Sequence, residues 1–293
     1  MNEFEVDRII ALLQKGEFEG ARKYLGTLSG EEDFHYWYYL GVASRKINDL
    51  ETAAESIDKA ILLDDKSSPA YFELGLIHQA RKEYGKAIDC LTKSLELMSD
   101  GVTPIQRIDS LNSLALTYKR AGDIDNALKY YNLSLETLAQ DIHDWIKTRQ
   151  IHELPQRPTL HPTTKTWYEL ALAIATKSAA KDGIENIRVP TGETALKLIQ
   201  QNPIIGRAFY DDGKTRYILP AYFDAFFEAL KGDILYSTIV SNVGTLLAET
   251  AEIRRAGECF MEAIDFIPQG SGYTDSIVSF NRLREEYGAN YWE

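Results

Sequence analysis

Residues 209–217 read Phe-Tyr-Asp-Asp-Gly-Lys-Thr-Arg-Tyr, and the Gly213-Lys214-Thr215 triplet within them offers an ammonium, a hydroxyl and a glycine backbone, the groups that hold a phosphate. A phosphate-cradling loop also needs a glycine five residues before the Gly-Lys pair, a strand ahead of it and a helix after it, so that N–H groups wrap the anion. That position is Ala208, and Gly206 lies two residues too far upstream. The triplet runs on into Arg216-Tyr217-Ile218-Leu219-Pro220, β-prone and ended by proline, where a helix would have to begin. Asp-Gly between short apolar or aromatic runs is a hairpin signal, because glycine takes positive φ at little steric cost. The stretch is therefore predicted to be a small β-hairpin, with Phe209, Tyr210, Lys214, Arg216 and Tyr217 forming a surface of their own.

Other chemistry is thin. No GxSxG, HExxH, CxxC or GxGxxG motif occurs, so an enzyme site around Asp211, Asp212, Lys214 and Arg216 would lack the constellation that catalysis requires. The histidines are His35, His78, His143, His152 and His161, and the last three recur every nine residues. Nine matches no zinc-ligand spacing, and Pro155, Pro158 and Pro162 make the segment read as a loop with solvated histidines. The pairs Asp64-Asp65 and Asp211-Asp212 read as turn and solvent residues. Cys90 and Cys259 stand far apart without a CxxC partner, which fits a reducing compartment. The chain is read as a non-enzyme with no catalytic residues, no cofactor and no metal.

With 32 Lys plus Arg against 44 Asp plus Glu, the net charge of −12 repels nucleic-acid backbones and anionic membrane surfaces. Its N-terminus, Met-Asn-Glu-Phe-Glu-Val-Asp, lacks the basic and apolar regions of a signal peptide. The most apolar stretch, Leu235 to Ala248, is interrupted by Ser, Thr, Asn and Gly, so no membrane span is expected. A cytoplasmic location is the resulting expectation.

The elements that position these residues come from a repeat. The stretch from Tyr36, YWYYLGVASRKINDLETAAESIDKAILLDD, aligns without a gap on AYFELGLIHQARKEYGKAIDCLTKSLELMS from Ala70, at a spacing of 34. Leu40-Gly41 recurs as Leu74-Gly75, Trp37 as Tyr71, Ala53 as Ala87 and Ile57 as Leu91. A third copy is displaced by 40, because Ser-Asp-Gly-Val-Thr-Pro lengthens the connection, and carries Leu114-Ala115, Tyr118, Ala127 and Tyr131. Gly16, Phe18, Ala21 and Leu25 match the second half of a unit, and Val243-Gly244, Leu247, Ala256, Phe260, Ala263 and Pro268 bring the pattern back downstream. Leu40, Gly41 and Ser44 share one helical face, and Gly41 lets another helix approach closely; Ala53, Ile57 and Ala60 make the answering face. Asn48-Asp49, Lys82-Glu83 and Gly122-Asp123 fall at turns, while Ser68-Pro69 and Thr103-Pro104 read as cap plus first-turn proline. Each cysteine sits three residues after a small alanine, Ala87 or Ala256, as filler in a second helix.

This pattern resembles the tetratricopeptide repeat family over about residues 2–138 and 236–293. The resemblance implies an all-α solenoid of antiparallel helix pairs wound as a right-handed superhelix, here with the small inserted β-hairpin. Three regions are expected: an N-terminal array at 1–140, a divergent unit with the insertion at 141–235, and a C-terminal unit with a capping helix at 236–293. In the middle region, Lys165 to Ala180 reads as a first helix, Lys181 to Glu193 as loop and Gly192 to Pro203 as a delayed second helix with Ala195 and Ile199. An apolar-faced helix is expected from Pro220.

The family's concave groove is lined by the first helix of each unit. Carried over by alignment, its candidates here are His35, Tyr38, Val42 and Arg45, then Phe72, Leu76 and Gln79, then Asn112, Leu116 and Lys119. The chaperone-binding branch grips a C-terminal carboxylate with lysine and asparagine where this chain has Tyr38 and Val42, so chaperone tails are not expected. The stripe suits an apolar or amphipathic segment, with Arg45, Lys119 and Arg120 giving orientation. The same side chains would also serve as inter-helix packing, and Trp145 and Ile146 of the segment from Ile142 to Thr164 would be natural plugs. Two functions are consistent with this: a scaffold or adaptor binding a peptide or helical segment of a protein partner, or a ligand- or peptide-responsive sensor with an internally occupied groove. Either is compatible with a homo-oligomer.

Overall fold

The computed structural model describes residues 1–28, 33–99, 102–148, 166–191, 194, 197–198, 208–231, 234–268 and 270–288. They cluster as two compact units, Met1–Tyr130 and Tyr131–Glu293.

The first unit is a run of helix pairs: α1 (Glu3–Gln14) with α2 (Phe18–Leu25), α3 (Phe34–Lys46) with α4 (Leu50–Leu63), α5 (Ser68–Ala80) with α6 (Tyr84–Leu97), and α7 (Pro104–Ala121) with the start of α8 (Ile124–Thr148). Each pair turns in the same way. Gly16, Asn48, Lys82 and Gly122 all take a left-handed φ of +62° to +83°. The N–H of the next residue, Glu17, Asp49, Glu83 or Asp123, reaches back to the carbonyl five residues earlier at 2.9 Å. That bond closes a Schellman motif and satisfies carbonyls that a helix end would leave open. The acid at that position then starts the following helix, and Asp49 and Asp123 accept from Thr52 N–H and Asn126 N–H at 3.2 and 3.1 Å. The turns predicted at Asn48-Asp49, Lys82-Glu83 and Gly122-Asp123 are thus present.

Between repeats, Thr103 caps α7 in a capping box with Gln106, with Pro104 behind it. At α5 the cap is Ser67 rather than Ser68: Ser67 accepts from Ala70 N–H, and the Ser68 hydroxyl is buried, donating to Ser94 O at 2.9 Å. The helix starts one residue early because this buried bond places Ser68 inside its first turn.

Glycine sets the packing distance. A Cβ built on Gly41 would stand 2.5 Å from the Ile57 side chain, and one on Gly75 2.7 Å from Leu91. Ala53, Ile57, Ala70, Leu74 and Ile77 form the buried cluster that this approach closes.

The second unit holds the rest of α8, then α9 (Thr166–Lys181), β1 (Asn186–Arg188), β2 (Phe209–Asp211), β3 (Thr215–Ile218), α10 (Pro220–Lys231), α11 (Ile234–Glu249), α12 (Ile253–Asp265) and α13 (Asp275–Tyr287). The hairpin is present: β2 and β3 pair antiparallel, Tyr210 opposite Tyr217, with Gly213 at φ +88° in the turn. Two expectations are corrected. Residues 186–188, read as loop, form β1, which pairs in parallel with β3, so that the sheet has the order β1-β3-β2. A parallel partner contributed from outside the hairpin leaves no local signal in three residues. Residues 142–148, read as part of a loop, continue α8, because Leu135, Leu138, Ala139, Ile142 and Ile146 extend its buried stripe before any proline intervenes. The predicted second helix with Ala195 and Ile199 lies outside the described residues. The α11–α12 pair repeats the glycine contact, a Cβ on Gly244 coming within 2.9 Å of Phe260.

Gly41→Ala is expected to cost about 1–3 kcal/mol, since Ile57 and the α4 backbone have to move. Gly85→Ala, where nothing lies within 4 Å, is expected to be neutral or to stabilise by about 0.5–1 kcal/mol. Urea midpoints of the two variants separate these outcomes.

Candidate functional site

Helices α3, α5 and α7 bring the ten groove candidates to successive positions in the first unit. His35 is exposed and lies against Tyr39 and Phe34. Tyr38, Val42, Phe72, Leu76, Leu116 and Lys119 are half-buried. Tyr38 stacks on Phe34 at 5.7 Å, and burial, with the nearby Glu73 carboxylate adding, pushes its hydroxyl far above the ordinary pKa. The expected basic rim is altered at Arg45, whose guanidinium forks onto Glu73 at 2.6 and 3.2 Å and so ties α3 to α5. Gln79 ties α5 to α7, its amide donating to Thr117 Oγ1 at 2.8 Å and Ser113 O at 3.3 Å. Asn112 Oδ1 is buried with no partner among the described residues.

Two of the ten, Tyr38 and Phe72, line a pocket of about 200 Å³. Its other walls are Pro69, Glu73, Met98, Val102 and the start of α7. Met98, which caps the end of α6, lies inside the aligned stretch but outside the first-helix positions carried over as groove candidates, and Val102 belongs to the lengthened connection before α7. The six extra residues there were the available signal.

The insertion residues divide. Lys214 is exposed and contacts Glu185 at 3.3 Å, and Tyr210 and Tyr217 lie ring to ring at 5.8 Å, with the Tyr217 hydroxyl donating to Asp212 at 3.1 Å. Arg216 and Phe209 turn inward instead. Arg216 is 6% exposed and forks onto Asp211, with both bonds at 2.9 Å, while also donating to Asp182 at 3.0 Å. Asp182 in turn accepts from Lys147 at 2.8 Å, so the sheet is pinned to α9 and α8 by one chain of charges. Phe209 packs on His143 and Tyr222 with centroids at 5.6 and 4.9 Å.

His143 corrects the solvated-loop expectation, since it sits in α8, fully buried. Tyr222 donates its hydroxyl proton to Ala171 O at 3.1 Å, so its 3.0 Å contact with His143 Nδ1 has the imidazole N–H as donor. Nε2 is left as a buried acceptor with no partner among the described residues. His152 and His161 lie outside the described residues. Ile146 is buried in the second unit and Trp145 is 43% exposed.

The family model described as tetratricopeptide repeat matches residues 65–140, which span α5, α6, α7 and the first part of α8. Residues 65–140 carry the tetratricopeptide repeat. Solved structures similar to it include MamA, at 24% identity over 48% of this chain and 80% of that one, with a TM-score of 0.42. PilF of Pseudomonas aeruginosa is similar at 15% identity over 97% and 96% of the two chains, with a TM-score of 0.43. YrrB, described as a TPR protein with an unusual peptide-binding site, is similar at 16% identity over 90% and 97%, with a TM-score of 0.35. No curated protein matches the chain. Tetratricopeptide repeat proteins are in general non-enzymatic scaffolds for protein–protein interaction, and the fold supports that general role.

Within the repeats both cysteines are half-buried, and burial pushes the thiols up, to about 11 for Cys90 and about 12 for Cys259, away from reactive thiolate. Among the described residues no group of three His, Cys, Asp or Glu side chains could hold a metal, and no helix is long and apolar enough to cross a membrane.

Burial depresses the His143 pKa; Lys147 and Arg216 act in the same direction, while Asp144 and Asp182 oppose. The unfolded chain therefore takes up this proton below about pH 6.5 while the fold resists it, so the contribution is present above that pH and is lost as pH falls. Between about pH 7.5 and 5 the melting temperature of the wild type is expected to fall more than that of His143→Phe, which keeps the aromatic packing and leaves Tyr222 bonded to Ala171.

Proposed function

We propose that the face formed by α3, α5 and α7 binds a segment of a protein partner by seating an apolar side chain between Tyr38 and Phe72. The observation that carries this reading is the 200 Å³ pocket at those two residues. It is smaller than the roughly 300–1,000 Å³ typical of small-molecule sites, and its size suits one or two anchoring side chains of a peptide or helix. Tyr38 and Phe72 are half-buried rather than closed off, so part of each ring remains available for contact. Arg45 serves the site indirectly: held by Glu73, it fixes the spacing of α3 and α5 on which the pocket depends. Affinity then comes from burying apolar surface around a rigid aromatic pair, the usual composition of an interface hot spot.

Affinity purification with the full chain tests this. Tyr38→Ala/Phe72→Ala is expected to lose the partners that the wild type retains, a loss of at least about tenfold in affinity for a residue pair of this kind. Recovery of the same partners by a double variant with a cooperative melt would rule the pocket out.

A further inference from the structure

The second unit contains a larger cavity, about 800 Å³, lined by α8, α11, α12, α13 and Thr166. Its wall uses other positions of the repeat than the groove candidates do. Aligning Val243-Gly244 on Leu40-Gly41 puts Ser241 and Thr245 where Tyr38 and Val42 stand, and neither belongs to the wall, which α11 supplies instead through Val240, Val243 and Leu247. The floor is apolar, with Leu135, Val240 and Leu247 each at most 5% exposed and Phe280 beside them.

The charge in this wall has one dominant sign. Glu258, Glu262 and Asp265 are spaced by four and three residues along α12, so they share one face of that helix and all line the cavity. Glu262 is 6% exposed and fixed in place by Thr166 N–H, Trp167 N–H and the Tyr236 hydroxyl, at 3.2, 3.0 and 2.5 Å. Two of these donors are the first N–H groups of α9, whose partly positive N-terminus Glu262 caps, so the carboxylate left facing the mouth of the cavity is Glu258. Arg255, the only lysine or arginine among the described residues of the wall, is engaged by Glu252 from outside it. Arg254 reaches Glu258 at 3.6 Å from outside the wall, a solvent-exposed pair that an incoming cation can displace at little cost. A concave apolar wall carrying carboxylates concentrates negative potential at its mouth.

We propose that this cavity receives a basic amphipathic segment of a partner protein, its apolar side chains on the floor and its lysines or arginines against Glu258 at the rim. The depth at which each group sits selects this occupant. The apolar floor is buried, whereas Glu258 keeps 59% of its side chain exposed and Met261, next to it on the rim, is 39% exposed. A single ligand has to present apolar groups at one level and cations at another, which is what a helix with one apolar stripe and basic flanks does. The site is separate from the Tyr38–Phe72 pocket and does not rest on it.

Fluorescence anisotropy with the full chain tests the proposal. The probe is a short labelled helical peptide of leucine and lysine with an apolar stripe, compared with its leucine–glutamate counterpart of identical pattern. The lysine peptide is expected to bind at least about tenfold more tightly, with the advantage shrinking as salt is raised. Glu258→Lys and Met261→Ser are each expected to weaken it several-fold. Glu51→Lys, the same change of net charge on the exposed face of α4, is expected to leave it unchanged. Equal binding of the two peptides, no binding of the lysine peptide, or equal losses in Glu258→Lys and Glu51→Lys would each overturn the assignment. Loss in the Tyr38/Phe72 variant alone would place the peptide in the first unit and overturn it as well.

Discussion

The close approach of two helices at a glycine is the contact on which the rest of the array depends. At Gly41, Gly75 and Gly244 the missing side chain is replaced by Ile57, Leu91 and Phe260 of the following helix. Because the filling residue belongs to the next helix in sequence, each pair closes on itself through a local contact, and the left-handed turn residue between them sets the angle at which it closes. A pair closed in this way still has apolar surface to bury, and stacking on the neighbouring pair supplies the cover. The open stripe of α3 and α5 follows from that geometry: it is made by the residues three before, one after and four after the glycine, Tyr38, Val42 and Arg45 in one helix and Phe72, Leu76 and Gln79 in the other.

Polar contacts then fix what apolar packing leaves loose. Arg45 with Glu73, and Gln79 with Thr117, join consecutive first helices within the first unit. Hydrophobic contact is non-directional, so without such bonds neighbouring helices could slide by part of a turn and the shape of the face would change. In the second unit Arg216 has the same role for the sheet. Its charge is nearly excluded from water and is tolerated because two carboxylates, Asp211 and Asp182, surround it.

The two candidate sites differ in kind for the same reason. The pocket at Tyr38 and Phe72 sits where Met98 at the end of α6 and Val102 of the lengthened connection meet the regular stripe. The cavity lined by α12 lies where α8 and the start of α9, which precede the sheet in the chain, meet the α11–α12 pair that follows it, so that carboxylates of a second helix stand beside an apolar floor. Both arise at departures from the repeat, which is where a scaffold that is otherwise built from interchangeable units acquires individual chemistry.

Sequence alone determined the helix pairs, their turns, their glycine contacts and the hairpin at Asp212-Gly213. Each of these is written within a few tens of residues: a period of helical faces, a turn residue able to take positive φ, a small residue opposite a large one. It also placed Tyr38 and Phe72 in one stripe, because their register follows from the repeat. Only the tertiary structure decided that Arg45 belongs to Glu73, that β1 joins the hairpin in parallel, and that His143 is buried beneath Tyr222 instead of standing in a loop. Those outcomes depend on groups brought together from distant parts of the chain. The polarity of a side chain states that it needs a partner, and only the packed fold states which one.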